Sequence, residues 1–388
     1  MIASTDGRKT LTDVALDLGR MIHSLATLLC CPTCGKHGVT VFPKEEKTVD
    51  YDTGPVNEIR EGTIVCGSCR NKFMIKDFVP RMMHGHVSDR SALLDGQYWG
   101  RMYKRLFDKH IMNYVDIREQ FTPFYRFGVS AKFSWDERLR LKETLPLNHL
   151  WLFQNDEHAR CLQNLSTLAK GKRVLDIGCG SGWLSLEARR KGFDVVGTDP
   201  SIEALTLAKE YSMQKRCRIE YVQADFDNIP FVDTVFDALI AFHSLHHAPN
   251  LEKAVQECLR VLKPEGLMQI YEPRNRTRIL KLIRFLLSSM MSGVIRMRHE
   301  NSLPMTSFSR SRNEEISVAQ INEIPRYLNV ISEERYFHFL NDIPLLLYLA
   351  SNNRRLLGQS SIKIDRFYAC LKRLTPDLCE FVHYISIA

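Results

Sequence analysis

The sequence predicts an α/β protein: a doubly wound sheet with helices on both faces, preceded by a small cysteine-bearing β-ribbon. Three observations carry this. Apolar, strand-like runs alternate with helix-like stretches from 174 to 271. A glycine turn, Gly178-Cys179-Gly180-Ser181-Gly182, follows the first of those runs. Two C-x-x-C pairs, Cys31/Cys34 and Cys66/Cys69, lie well upstream.

A chain of 388 residues can bury one large core and a smaller second unit, and 44% hydrophobic with 25% charged residues is a globular composition. The net charge of +8 is unevenly spread: residues 1–150 carry 22 basic against 18 acidic groups, residues 151–275 carry 15 against 17, and residues 276–388 carry 16 against 10. The basic C-terminal part could meet a phosphate-bearing substrate, nucleic acid or an anionic membrane face, or could be a solvated surface. The spacing of Leu11, Val14, Ala15, Leu18, Ile22 and Leu25, with Asp13, Asp17 and Arg20 among them, reads as an amphipathic helix rather than a secretory signal. The most apolar stretch, 279–297, contains Lys281, Arg284 and Arg296, and its uncharged run 285–295 is shorter than the roughly 20 residues a membrane span needs. Eleven cysteines without a signal point to reduced thiols and a cytoplasmic location.

The cysteine pairs come first along the chain. Each C-x-x-C can place two thiolates on one side of a tight turn, about 2.3 Å from a shared zinc ion. Cys31, Cys34, Cys66 and Cys69 are the expected ligands; the C-P-x-C-G form favours Cys31 over its neighbour Cys30. Four thiolates close the coordination shell, so the zinc is expected to be structural, holding a ribbon too small to fold on its core alone. The 31 residues between the pairs should hold short strands at 39–42 and 63–65, joined by an extended loop with an acidic tip (Glu45, Glu46, Asp50, Asp52). Residues 72–80 read as a strand and exit.

The glycine turn distinguishes between cofactors. A dinucleotide site wants G-x-G-x-x-G, whereas Trp183 stands here near the third glycine's place. Asp176, two residues before Gly178, would repel a pyrophosphate but suit a cofactor with an α-amino group and a sulfonium. Strands follow at 193–197, 219–223, 235–242 and 267–271, with a helix at 250–262 stopped by Lys263-Pro264-Glu265-Gly266. Ligands bind outside the carboxyl ends of such strands, where Asp176, Asp199, Asp225, His243 and Glu272 all fall. A carboxylate at Asp199 can hold both ribose hydroxyls, Asp225 can accept from an adenine amino group, and Phe226 can face the ring.

The succession VLDIGCGSG, Asp199, Ala224-Asp225, Leu245-His246-His247 and RVLKPEG resembles the class I S-adenosylmethionine (SAM)-dependent methyltransferases over about 120 residues. The resemblance implies that Gly178, Gly180 and Gly182 pack along the methionine part of SAM, and that Asp199 takes the ribose and Asp225 with Phe226 the adenine. Glu265 stands where the family more often has glycine. Residues 30–82 resemble the small zinc ribbons that partner, or are fused in front of, methyltransferases. The family fold implies a Rossmann-like seven-stranded sheet, for which 329–331 with 335–340 suit a bent sixth strand and 381–387 the seventh. The expected organisation is an N-terminal helix (1–29), the zinc ribbon (30–82), a connecting helical segment (83–150) that could cover substrate or cofactor, and a SAM-binding domain (151–388) with helical inserts at 276–300 and 341–378.

Methyl transfer from SAM is an in-line displacement in which the acceptor must be positioned and, if it is a hydroxyl, deprotonated. His243, His246 and His247 are candidate bases, with Glu272 beside them, and His243 also falls among the expected cofactor contacts. The expected function is methylation of a small-molecule, sugar or lipid-type biosynthetic intermediate. The alternatives are an rRNA or tRNA methyltransferase that uses the ribbon to contact RNA, and a non-catalytic SAM-binding scaffold. The partners expected are a small-molecule acceptor, an anionic membrane surface or phosphate group, and a protein that could dock on the ribbon. Nucleic acid is less favoured, since no run of Arg and Lys interleaved with aromatics marks a groove.

Overall fold

The computed structural model describes residues 25–83, 156–273, 323–336 and 381–388. The expected helix before residue 25, the connecting segment 84–150 and the inserts at 276–300 and 341–378 lie outside the described residues.

In chain order the elements are β1 (Val39–Tyr51), β2 (Gly54–Cys66), β3 (Lys72–Lys76), β4 (Val79–Pro80), α1 (Asp156–Leu168), β5 (Arg173–Ile177), α2 (Trp183–Arg190), β6 (Asp194–Asp199), α3 (Ile202–Gln214), β7 (Glu220–Gln223), β8 (Phe236–Phe242), a 3₁₀ turn (Leu245–His247), α4 (Leu251–Val261), β9 (Leu262–Pro273), α5 (Ile324–Tyr327), β10 (Val330–Tyr336) and β11 (Phe381–Ile387). Strands β1 to β4 form one antiparallel sheet in that order. The other seven are hydrogen-bonded in the order β10-β11-β9-β8-β5-β6-β7. Among the described residues no helix is long and apolar enough to cross a membrane.

The chain divides into two compact units. The first holds β1–β4 and the 171–239 and 248–264 segments. Here β5, β6 and β7 run parallel, with Val174 opposite Val195 and Thr198 opposite Val222. Four of the five β5 residues are buried, as near-continuous apolar parallel strands must be. Helices α3 and α4 start on side-chain caps: Ser201 Oγ accepts from the Ala204 N–H at 3.1 Å, and Asn250 Oδ1 accepts from the Lys253 N–H at 3.0 Å. Glu203 and Glu252 lie in the first turns, where the helix dipole favours a negative charge.

The ribbon of this unit corrects one expectation. The segment between the cysteine pairs is a hairpin of two 13-residue strands, not short strands with an extended loop. Its register runs from Val39 opposite Cys66 to Tyr51 opposite Gly54, with a slip around Glu45. The acidic tip lies against basic groups: Asp50 pairs with Arg216 at 3.0 Å and Asp52 with Arg189 at 3.2 Å. Val49, Tyr51 and Val56 form a small core there with Phe78 and Met213. The ribbon also joins the strand edge by backbone bonds. The Met82 N–H donates to Gln223 C=O at 2.9 Å, and the Cys30 N–H to Pro230 C=O at 3.0 Å. Strand alternation could not reveal this, because the partners are more than 100 residues away in sequence.

The second unit comprises 240–247, 265–388 and the α1 segment, as far as these are described. The last strand, β11, runs antiparallel to both β9 and β10, with Val382, Tyr384 and Ile385 buried alongside Leu267 and Ile270. Its range is the one expected of the seventh strand. The sixth, β10, runs through Glu333 and Glu334, where a bend was expected, as a single strand, and its irregularity lies between Val330 and Ser332. α4 ends at Val261 and β9 begins at once, so Lys263-Pro264-Glu265-Gly266 lies within the strand. There Glu265 takes a left-handed φ of 62°, the conformation that glycine adopts freely.

Candidate functional site

The four ribbon cysteines converge. Their sulfur atoms all lie within 4.8 Å of one another, with Cys31 Sγ 3.6 Å from Cys69 Sγ and Cys34 Sγ 3.7 Å from Cys66 Sγ. Thiolates 2.3 Å from one tetrahedral ion would sit about 3.8 Å apart, so this donor set fits a zinc-sized ion. Cys30 does not join them: its thiol donates to the Phe231 carbonyl at 3.2 Å. Two knuckle turns bring the ligands together, with Gly35 N–H bonded to Cys31 C=O and Arg70 N–H to Cys66 C=O.

The glycine turn connects β5 to α2. Gly178, Gly180 and Gly182 have φ of 69°, 54° and 73°. At Gly182 a side chain is excluded twice over, because a Cβ would also lie 2.4 Å from the Tyr221 hydroxyl and 2.9 Å from Ala208 Cβ. At the end of β6, Asp199 is gripped through both oxygens: the Gly180 N–H donates to Oδ2 at 2.9 Å and the Ser201 N–H to Oδ1 at 2.8 Å. The turn and the β6 carboxylate are therefore one assembly. Burial pushes the Asp199 carboxyl up to about 6, although the two amides pull it down.

Asp176, an expected cofactor contact, lies one residue before the end of β5. It is 2% exposed, and the Ser185 hydroxyl donates to its Oδ2 at 2.5 Å. Burial raises it to about 7, against the Ser185 bond and helped by the charge of Asp199. Asp225 closes its own loop: Oδ1 accepts from the Asp227 and Asn228 N–H groups, both at 3.0 Å. Phe226 is buried beside it.

In the second unit the histidine run and Glu272 form a cluster at the carboxyl ends of β8 and β9. Glu272 is completely buried. Its Oε1 accepts from the Ser244 N–H at 3.0 Å and the Leu245 N–H at 2.6 Å, which anchors the 3₁₀ turn. Its Oε2 lies 2.6 Å from Nδ1 of His246. His247 stacks at 4.0 Å between ring centroids on His246, and burial, with the His246 charge, depresses it to about 3. His243 has its ring against Phe242 and Tyr271, and its backbone N–H donates to Tyr271 C=O at 2.8 Å.

Sequence reasoning missed Tyr221, Ser185 and Gln223. Tyr221 lies under Gly182 and Gly197, and the Ser185 side chain reaches its hydroxyl. Gln223 donates to the Pro200 carbonyl at 2.8 Å, next to Asp199, while its own carbonyl receives the ribbon. Each is an ordinary strand or helix residue with no motif signal.

A doubly wound sheet whose glycine turn grips the carboxylate at the end of the neighbouring strand defines a Rossmann-like protein that binds a nucleoside-bearing cofactor. The family described as "Methyltransferase domain" matches residues 175–270. Ubiquinone biosynthesis O-methyltransferase of Alkalilimnicola ehrlichii is 33% identical over 39% of this chain and 58% of its own length. Sterol 24-C-methyltransferase of Eremothecium gossypii is 33% identical over 39% of this chain and 39% of its own. Ubiquinone biosynthesis O-methyltransferase of Actinobacillus pleuropneumoniae is 30% identical over 43% of this chain and 68% of its own. The chain belongs to the class I SAM-dependent methyltransferase family. It spans 58% and 39% of the length of the first two relatives.

Proposed function

We propose that this chain transfers the methyl group of SAM to a small-molecule or lipid-type biosynthetic intermediate. The observation that carries the proposal is the grip on Asp199 by the Gly180 and Ser201 amides. A carboxylate has about four acceptor sites, and one amide on each oxygen leaves capacity for the two ribose hydroxyls. When bound, SAM supplies an electrophilic methyl group on a sulfonium. The chain supplies the cradle: the glycines leave room along the methionine part, Asp225 and Phe226 bound the adenine end, and Asp176 sets the start of α2 through Ser185. The names of the relatives, ubiquinone biosynthesis O-methyltransferase and sterol 24-C-methyltransferase, support the acceptor class.

Cys31, Cys34, Cys66 and Cys69 would hold a structural zinc ion. With four thiolates it has no open position for chemistry. Its contribution is to fold the ribbon.

The test is twofold. Calorimetry should show SAM binding by the wild type and at least tenfold weaker binding by Asp199→Ala; equal affinity defeats the site assignment. Incubation with methyl-labelled SAM and a small-molecule extract should label a product that mass spectrometry can identify. A wild-type protein that labels nothing under conditions where it binds SAM would overturn the proposed activity.

A further inference from the structure

We infer that Gln223 is a positioning residue of the cofactor site, which sets the Asp199 carboxylate through the Pro200–Ser201 peptide and is itself anchored by the ribbon. The inference rests on the reading of Asp199 as the ribose-binding group, and every residue in it belongs to one compact unit.

How the chain leaves β6 decides how Asp199 is held. β6 and β7 end on the same row, with Asp199 opposite Gln223. The residue that follows in the chain, Pro200, has no N–H with which to extend the ladder. Two bonds from the β7 side take its place. The Ala224 N–H donates to the Asp199 C=O at 3.3 Å, and the Gln223 side-chain amide donates to the Pro200 C=O at 2.8 Å. A carbonyl only accepts, so the NH₂ end of the glutamine amide is the one that faces it.

That carbonyl and the N–H of Ser201 belong to the same planar peptide unit. The Ser201 N–H donates to Oδ1 of Asp199 at 2.8 Å. One rigid plane is thus gripped by Gln223 on its oxygen side and grips Asp199 on its nitrogen side. Turning the plane moves the amide off the carboxylate, so the glutamine fixes the direction of the bond that the ribose site needs.

Gln223 is in turn immobilised. It is 6% exposed, and its backbone C=O accepts from the Met82 N–H of the ribbon at 2.9 Å, beside a parallel bridge to Arg81. Its main chain holds the ribbon while its side chain holds the exit of β6. Methionine has a similar length but no donor, and asparagine falls one methylene short.

The effect on Asp199 is electrostatic as well as steric. Burial pushes its carboxyl up to about 6, and the Ser201 amide is one of the two bonds that pull it down. A misdirected amide therefore raises the carboxyl further.

Calorimetry of SAM binding to the full chain with Gln223→Met tests this. Affinity at neutral pH should fall about fivefold or more, and the pH at which half of the affinity is lost should move up by about half a unit from near 6. Asp176 of β5 and Cys179 of the glycine turn, the titratable groups that feel the charge of Asp199, are unchanged in this variant. A glutamine that only stabilised the fold would leave that midpoint in place. In an Asp199→Ala background Gln223→Met should cost no further affinity, because the group it positions is gone. Affinity within about twofold of the wild type, an unmoved midpoint, or losses that add in the double variant overturns the inference. An Asp199→Ala protein that binds SAM as the wild type does defeats the ribose reading instead. Should Gln223→Met not fold, the wild type decides: saturating SAM should slow hydrogen exchange of the Met82 amide, whose acceptor is Gln223, and unchanged exchange overturns the inference.

Discussion

Lys209 of α3 and Glu58 of β2 form an ion pair of 2.6 Å with 1% and 8% of their side chains exposed. The Tyr51 hydroxyl donates to the other Glu58 oxygen at 2.6 Å, and Lys209 also donates to the Ile219 carbonyl at 3.2 Å. The pair thus joins the ribbon hairpin to the helix after β6, inside one compact unit. Two charges taken from water survive there because each faces the other and each has a further hydrogen bond, Lys209 to the Ile219 carbonyl and Glu58 from the Tyr51 hydroxyl.

Breaking that pair on one side should be costly. Lys209→Met leaves the Glu58 carboxylate buried without the cation that pairs with it, at an expected cost of about 3 kcal/mol or more. Adding Glu58→Gln removes the stranded charge and keeps the Tyr51 bond, so the double variant should be more stable than the single one. Urea unfolding midpoints measure both; a Lys209→Met protein as stable as the wild type would contradict the buried pair.

Gly182→Ala should weaken both folding and SAM binding. The new methyl meets the Tyr221 hydroxyl, and the residue must hold a φ of 73°, which costs about 1–2 kcal/mol for a non-glycine residue. Tyr221→Phe in the same chain should restore part of the loss, since the hydroxyl is the nearest atom met. No recovery would locate the penalty in the backbone and in Ala208 alone.

SAM binding should expel a proton near pH 6. Asp199 has its carboxyl raised to about 6, and it must be ionised to accept both ribose hydroxyls. Affinity should therefore fall as pH drops through 6. Titrations in buffers of different ionisation enthalpy read the proton release directly, and Asp199→Asn should abolish it. The stability of the free protein runs in the other direction. A carboxyl whose folded pKa lies above its unfolded value of about 3.8 favours the folded state at low pH, and that advantage is lost as pH rises from about 4 towards 6 for Asp199 and towards 7 for Asp176.

Metal content should discriminate between two adjacent cysteines. Cys31→Ser should lose bound zinc, whereas Cys30→Ala, whose thiol faces the Phe231 carbonyl, should retain it. Chelation should expose the β1–β2 amides to hydrogen exchange while those of β5 and β6 stay protected. A ribbon that remains protected without metal would show that its packing against α3 suffices to fold it.

Glu265→Gly should stabilise the protein by about 0.5–1 kcal/mol. It relieves a left-handed residue at φ 62° and gives up a highly exposed ion pair with Lys170. A lower melting temperature in this variant would assign that ion pair more weight than its exposure implies.

Much of the sheet was legible because its signals are local. The alternation of apolar runs and the glycine spacing placed β5, β6, β7 and β8 to within a residue or two, and the strand count of the family resemblance placed β11. Asp199 fell at a strand end on length alone. Less legible was the ribbon, where 13-residue strands look like a polar loop, since β1 has few apolar residues of its own and draws its order from pairing with β2. The histidine cluster was only half legible. Its members could be named, but which of them Glu272 faces was set only by distance.

Sequence by itself determined which residues could act: the four cysteines, the three glycines and the carboxylates at strand ends, each marked by spacing that covalent geometry and strand period dictate. Tertiary structure decided what each one does. It turned Cys30 away from the sulfur cluster, bonded Asp176 to Ser185, and set Glu272 against Nδ1 of His246. Those outcomes depend on burial and on partners between 9 and 201 residues distant in the chain. Burial and long-range pairing are properties of the packed molecule, and no local pattern of residues encodes them.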